Sequence, residues 1–177
     1  MLWFWFFIAY SFLGYLLEKI FAFMTNAKQQ TRKCFLISPL CPVYGISMLA
    51  ILAFDVAALP TLPERILLCA LIATAVEYLL HWFYELLFSV RFWDYRGLRT
   101  DINGRICLPF SIIWGVLATF ALRYIHPQLQ LLTLIPLPLG NIALLLLAID
   151  TMYSARILLR YHDTERLSLL RFLQQRI

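Results

Sequence analysis

Residues Arg91–Arg105 read RFWDYRGLRTDINGR. The stretch gathers four arginines (Arg91, Arg96, Arg99, Arg105), two aspartates (Asp94, Asp101) and Asn103 between two long apolar runs, Ile66–Val90 and Cys107–Ile125. What surrounds it decides its meaning. Of the 177 residues, 62% are hydrophobic and 14% charged, against about 45–50% and about 25% in an ordinary soluble domain. That leaves too little polar surface to cover a water-soluble globule. Several runs reach the roughly 20 residues that cross a bilayer as a helix. The composition therefore predicts an all-α integral membrane protein, a compact bundle of about five transmembrane helices with a C-terminal amphipathic helix.

Working outward from the polar loop, the apolar runs predict spans over residues 2–23, 43–59, 66–90, 107–125 and 131–150. Residues 1–150 form one transmembrane helical domain, and 151–177 a cytoplasmic basic tail. The first run has no basic leader or small-residue cleavage site, so it reads as a retained anchor. Pro39 and Pro42 break the entry to the second span, and Pro136 with Pro138 the entry to the fifth. Irregular backbone at that depth must be buried in protein or wetted. Gln128 and Gln130 mark a turn after the fourth span. Arginines 156, 160, 166, 171 and 176 alternate with apolar residues in the manner of a helix lying on a membrane surface.

Basic residues also set the topology. Lys28, Arg32 and Lys33 fall in the first loop, four arginines in Arg91–Arg105, and five in the tail. All three segments belong on one side if there are five spans. The positive-inside rule makes that side the cytoplasm and puts the N-terminus outside, in a multi-pass protein of the cell membrane. The net charge of +5 is thus topogenic and suited to anionic headgroups. No nucleic-acid recognition motif accompanies it. Cys34, Cys41, Cys69 and Cys107 lack the paired spacing of metal knuckles and read as free, apolar cysteines.

Candidate chemistry lies in and beside the loop. Glu77, His81 and Glu85 are spaced four apart and make one polar stripe on the third span. Intramembrane carboxylates are costly, so such groups face the bundle interior, pair, or bind protons and substrate. His81 reads as a hydrogen-bonded packing group or, with Glu77, a proton shuttle. As a metal site the stripe has no corroborating ligands, and no cofactor-binding motif is present. Glu18, near the far end of the first span, is expected to face another helix or a polar loop. In the loop, Asp94 and Asp101 can pair with the arginines, Asn103-Gly104 favours a tight turn, and Arg105 stands where the chain re-enters the membrane, its planar fork suited to carboxylate or phosphate. The predicted substrate-binding set is Glu18, Glu77, His81, Glu85, Asp94, Asp101, Asn103 and Arg105. Tyr44, Trp82, Trp93, Tyr95 and Trp114 read as interface or packing aromatics.

A weak internal repeat is also visible. GYLLEKIF (Gly14–Phe21) parallels WFYELLF (Trp82–Phe88), which aligns Glu18 with Glu85, and PLCPVYG (Pro39–Gly45) parallels PFSIIWG (Pro109–Gly115). Spans one and two would then repeat as three and four in the same orientation.

The segments YSFLGYLLE (Tyr10–Glu18), FLISPLCPVYG (Phe35–Gly45), EYLLHWFYELLF (Glu77–Phe88) and WDYRGLRTDINGRICL (Trp93–Leu108) together resemble the CmpB-like ABC-transporter permease family. The resemblance covers about Tyr10 to Gly115 and is most specific at WDY, INGRICL and PLCPVYG. Lys33 and Cys34 stand where Arg-Gly is usual, Ser38 replaces a glycine and Asp101 an asparagine. The resemblance implies a small component of a transport system whose ATPase is a separate subunit, since no Walker motif occurs in this chain. Five spans are few for an independent transporter, which points to a homo-oligomer or a partner subunit. A membrane-embedded enzyme acting on a lipid or lipid-linked substrate, with carboxylates or His81 as acid and base, is the second reading. A structural or regulatory membrane protein is the third.

Overall fold

The computed structural model describes residues 1–25 and 34–167. Four helices are long and apolar enough to cross a membrane: α1 (Leu2–Met24), α3 (Leu62–Phe88), α4 (Leu108–Leu134) and α5 (Leu137–Tyr161). A shorter apolar helix, α2 (Pro42–Ala53), lies between the first two. A hairpin of β1 (Asp101–Ile102) and β2 (Ile106–Cys107) precedes α4. The protein is a helical, multi-pass membrane protein.

The helix boundaries differ from the predicted spans for identifiable reasons. The second helix occupies 12 residues, about 18 Å at ~1.5 Å per residue, where the apolar run predicted 43–59. Pro42 starts it, and after Ala53 the chain turns left-handed at Asp55 (φ 48°) into a 3₁₀ turn, Val56–Ala58. The third helix begins four residues earlier than predicted because Thr61 and Glu64 form a capping box: each side chain accepts the other's backbone N–H. It ends at Ser89, which holds φ 55°. Ser89→Gly should therefore raise stability by about 1 kcal/mol, the left-handed penalty of a side chain, as read from reversible unfolding in mild detergent.

Gln128 and Gln130 do not break the fourth helix. Pro127 lacks an N–H to donate, and a π-helical turn just before it, Ala121–Ile125, absorbs the lost ladder bond. The fifth helix runs on to Tyr161 and so carries Arg156 and Arg160. The remainder of the predicted amphipathic helix, including Arg171 and Arg176, lies outside the described residues, as do Lys28, Arg32 and Lys33.

The helices pack as a ring open on one side: α1 against α2, α2 against α3, α3 against α4. Phe6, Tyr10, Met48, Ile51, Cys69 and Ala118 form its core. Two glycines let a helix approach the backbone of its neighbour. A Cβ on Gly115 would lie 2.6 Å from the Ile66 carbonyl oxygen and 2.7 Å from the Ala70 Cβ. A Cβ on Gly45 would meet Ser11 and Phe7. These paired contacts place the two halves about two helical turns from the register expected above. Gly45 lies against the Phe7 carbonyl and the Ser11 side chain as Gly115 lies against the Ile66 carbonyl and the Ala70 side chain, which matches Phe7 with Ile66 and Ser11 with Ala70 and makes Glu77, not Glu85, the counterpart of Glu18.

A second cluster, Tyr84, Phe88, Val90, Phe92, Leu158 and Leu167, ties the end of α3 to the end of α5. The His162 ring nitrogen lies 2.7 Å from the Phe88 carbonyl oxygen. The described parts of the loop after α1, the loop after α3 and the segment after α5 thus gather at one end of the bundle. Met1, packed beside Gly140, marks the opposite end.

Candidate functional site

The polar stripe of α3 is covered by the chain that follows it. After Ser89 the backbone is extended, and alternate residues Arg91, Trp93 and Tyr95 meet Glu85, His81 and Glu77 in turn. Arg91 pairs with Glu85, the Trp93 ring lies edge-on to His81 with centroids 5.1 Å apart, and the Tyr95 hydroxyl donates to Glu77 at 2.9 Å. The match is geometric. Two residues of extended chain rise about 6.6 Å and four of helix about 6 Å, so a period of two runs in step with a period of four along an antiparallel pair. The intervening residues Val90 and Phe92 point into the aromatic cluster with Tyr84 and Phe88.

The loop then folds back through the hairpin. Asn103 (φ 55°) and Gly104 (φ 70°) are both left-handed, the requirement of a hairpin turn that favours Asn-Gly. Asp101 accepts the Gly104 N–H at 2.9 Å, and the Arg105 N–H closes the turn on Ile102 at 3.0 Å. The turn brings Arg105 to the Tyr78 hydroxyl (2.9 Å) and to Glu85 (2.8 Å), while Asn103 donates to Tyr78 at 3.0 Å. The Trp93 indole N–H donates to the Arg105 carbonyl at 2.9 Å, which fixes the returning strand on the outgoing one.

Asp94 faces away from the stripe and pairs with Arg96 at 2.5 Å. The guanidinium beside it holds its carboxyl down to about 2. A folded value below the unfolded one makes the pair's contribution complete above the ordinary carboxylate range and lost as pH falls through about 2. Being exposed, the pair contributes little to stability.

Glu77 is 2% exposed. Besides Tyr95 it accepts the Trp114 indole N–H at 3.1 Å. Trp114 stands edge-on to Tyr44, ring centroids 5.5 Å apart, and the Tyr44 hydroxyl donates to Glu18 at 2.5 Å. Two carboxylates are therefore joined through two aromatic donors. Tyr44, Glu77 and Trp114 line a cavity of about 370 Å³ in the gap between α1 and α4, floored by α2 and α3. Its remaining walls are mostly apolar, including Leu13, Met48, Ile51 and Ala118. Exposed Leu16, Ile20 and Phe120 stand on its outer rim. Beside Ile125 the Tyr10 hydroxyl meets the His126 ring nitrogen at 3.1 Å, and just beyond Ile20 the Phe21 ring meets Phe110 edge-on.

Of the predicted site residues, Glu77, His81, Glu85 and Arg105 come together along one strip, with Asn103 bound to its edge at Tyr78. Glu18 joins through Tyr44, Asp94 lies on the outer side of the loop, and Asp101 is engaged in the turn. His81 is 2% exposed, and its Nδ1 has no hydrogen-bond partner among the described residues. No group of three metal-ligating side chains occurs among the described residues. Tyr44, Tyr95 and Trp114 are not mere packing aromatics, for each donates to a carboxylate. For Tyr95 the signal was the alternation of Arg91, Trp93 and Tyr95 against a stripe spaced by four.

Sequence reasoning overlooked Tyr78 and Asp150. Asp150 of α5 accepts the backbone N–H groups of Ile37 (3.1 Å) and Ser38 (3.0 Å), part of the irregular segment before α2. This satisfies backbone that has no helical partner. Asp150→Asn removes the charge and leaves one of the two amides a poorer acceptor. We expect a loss of about 1–2 kcal/mol and faster hydrogen exchange confined to the segment around Ile37 and Ser38.

No curated protein and no solved structure matches the chain. Residues 5–155 match the family described as "Putative ABC-transporter type IV". That match takes in α1 to α4, the whole polar loop and most of α5, and by it the chain belongs to this CmpB-type ABC-transporter family.

Proposed function

We propose that this chain is the permease-like component of a transport system, driven by a separate ATPase subunit, and that its substrate occupies the groove between α1 and α4. The observation that carries this reading is Glu77, a carboxylate buried on the floor of a mostly apolar groove between membrane-spanning helices. An ionisable group at such a place marks a substrate or ion path more readily than a packing role. Family membership supports the transport context and an ATPase partner. The chain would act as an oligomer or with a partner subunit, and the strip around Glu85 and Arg105 would lie at the groove's cytoplasmic approach.

The depth of the site follows from helix length. The 27 residues of α3 rise about 40 Å, more than the ~30 Å hydrocarbon core. The end of α3 with Glu85 would project into the interfacial layer, and Glu77, eight residues or about 12 Å deeper, would lie towards the middle of the bilayer. In this reading the loop carrying Arg99 is cytoplasmic and the N-terminus outside. A cysteine placed at Arg99 should resist membrane-impermeant thiol reagents in intact cells and react once the cells are opened. Labelling from outside would reverse the orientation.

The function is tested by comparing wild type with Glu77→Gln and with Ala121→Trp, which fills the groove. Purification in native lipids followed by mass spectrometry should recover an ATPase subunit with all three chains, while both variants lose substrate-stimulated ATP hydrolysis. Full activity in both variants would remove the groove from the transport path. Absence of any ATPase partner would remove the permease assignment.

A further inference from the structure

We propose that the outer face of α5 is a binding site for an anionic phospholipid. Its phosphate is held by Arg156, Arg160 and Arg166, and an acyl chain lies along Leu145, Ile149 and Met152. The inference is independent of the groove between α1 and α4. Of the four spanning helices α5 is the least covered by protein, with 11% of its apolar stretch buried against 22–28% in the others. Its covered side is that of Gly140, Ser154 and Leu158. Arg156 stands two residues from both Ser154 and Leu158, about 200° around the helix at ~100° per residue. Leu145, Ile149, Met152, Arg156 and Arg160 follow one another at spacings of three or four, so they share that opposite face. All five are exposed.

Charge complementarity sets the occupant of this face. Among the described residues neither Arg156 nor Arg160 has an ion pair. The chain then brings a third arginine back to them. After the left-handed His162 (φ 49°), Asp163 accepts the Glu165 N–H at 2.8 Å, and buried Leu167 packs in the cluster that holds Leu158 and Phe88. This pinned turn sets the Arg166 guanidinium 4.1 Å from the centre of the Tyr161 ring, with the Arg160 guanidinium 5.4 Å from the centre of the same ring. Two like charges are thus gathered about one aromatic side chain, which favours each of them. The acids of the segment, Asp163 and Glu165, belong to the turn, and the Arg166 Nε stands 3.9 Å from Asp163, beyond hydrogen-bond length.

Helix length gives the depth. The 25 residues of α5 rise about 37 Å against the ~30 Å hydrocarbon core. Arg160 therefore reaches the headgroup layer, and Arg156, about 6 Å deeper, extends its long side chain up to it. A phosphate is the acceptor at that level, and the planar guanidinium fork matches its oxygens. Below Arg156 the face is hydrocarbon, as an acyl chain requires.

The test uses the full chain in phosphatidylcholine nanodiscs containing phosphatidylglycerol with a diazirine midway along one acyl chain. Mass spectrometry of crosslinked peptides should place the label between Leu145 and Met152, and a phosphatidylcholine probe of the same design should label that stretch far less. Retention of phosphatidylglycerol by the purified chain, titrated by native mass spectrometry, should weaken about fivefold in Arg156→Gln, Arg160→Gln or Arg166→Gln, the worth of one basic residue at an anionic surface. Arg99→Gln removes the same charge from the polar loop and should leave retention unchanged. Excess inorganic phosphate should not displace the lipid. Labelling away from α5, equal labelling by the two probes, or an equal loss in Arg99→Gln overturns the site. Displacement by inorganic phosphate overturns the lipid as its ligand. The two-probe comparison needs only the wild-type chain, so it decides the matter even if a variant folds poorly.

Discussion

Glu77→Ala is expected to be the most destabilising substitution in the polar strip, at about 2–5 kcal/mol. The change removes the acceptor of two buried donors, the Tyr95 hydroxyl and the Trp114 indole N–H. Each donor left unsatisfied costs about 1–3 kcal/mol, and water cannot readily replace the carboxylate at a position 2% exposed. The loss should divide between two elements, because Tyr95 belongs to the covering loop and Trp114 to α4. Glu77→Gln keeps a carbonyl oxygen and should lose less than half as much. Reversible unfolding in mixed micelles measures both. A change below about 0.5 kcal/mol in the alanine variant would mean that these bonds do not hold the loop on α3.

Gly115→Leu is the second large effect, and its cause is steric. The added side chain would have to enter where even a Cβ lies 2.6 Å from the Ile66 carbonyl oxygen. That neighbour is helix backbone and cannot rotate away, so α3 and α4 must separate. Overpacking of this kind costs about 1–3 kcal/mol, more where backbone must move, and about 3 kcal/mol or more is expected here. Gly115→Ala should show the same direction at smaller size. Since α3 and α4 also bound the groove, separation should weaken the Glu77–Trp114 bond, and the two substitutions combined should cost less than their sum.

Much of the fold could be read from the sequence because composition and apolar run length act directly on partition into a bilayer. The helical, membrane-spanning class followed from that. The ends of the helices did not, because they depend on local chemistry that hydropathy cannot weigh: the Thr61–Glu64 box, the left-handed Ser89, the π turn that lets α4 pass Pro127. The acidic stripe was visible as a spacing of four, and Asn103-Gly104 as a turn. The covering of that stripe was harder to see, since it required reading Arg91, Trp93 and Tyr95 as every second residue of an extended chain. Asp150 had no sequence signal at all. Its partners are backbone N–H groups 112 and 113 residues away, and amides carry no side-chain signature. The register expected for the repeat was about two turns away from the one the glycine contacts give, because apolar helices tolerate such shifts until a close contact fixes them.

The Asp150 contact has a consequence for biogenesis. The ribosome delivers Ile37 and Ser38 more than a hundred residues before the carboxylate that receives their amides. During synthesis the first hairpin must therefore wait, its irregular segment solvated in the interfacial layer or shielded by the insertion machinery, until the last helix arrives. Assembly is sealed from the C-terminal side. A chain released before α5 is made would carry an open seam beside α2, and that seam is where quality-control proteases should first cut.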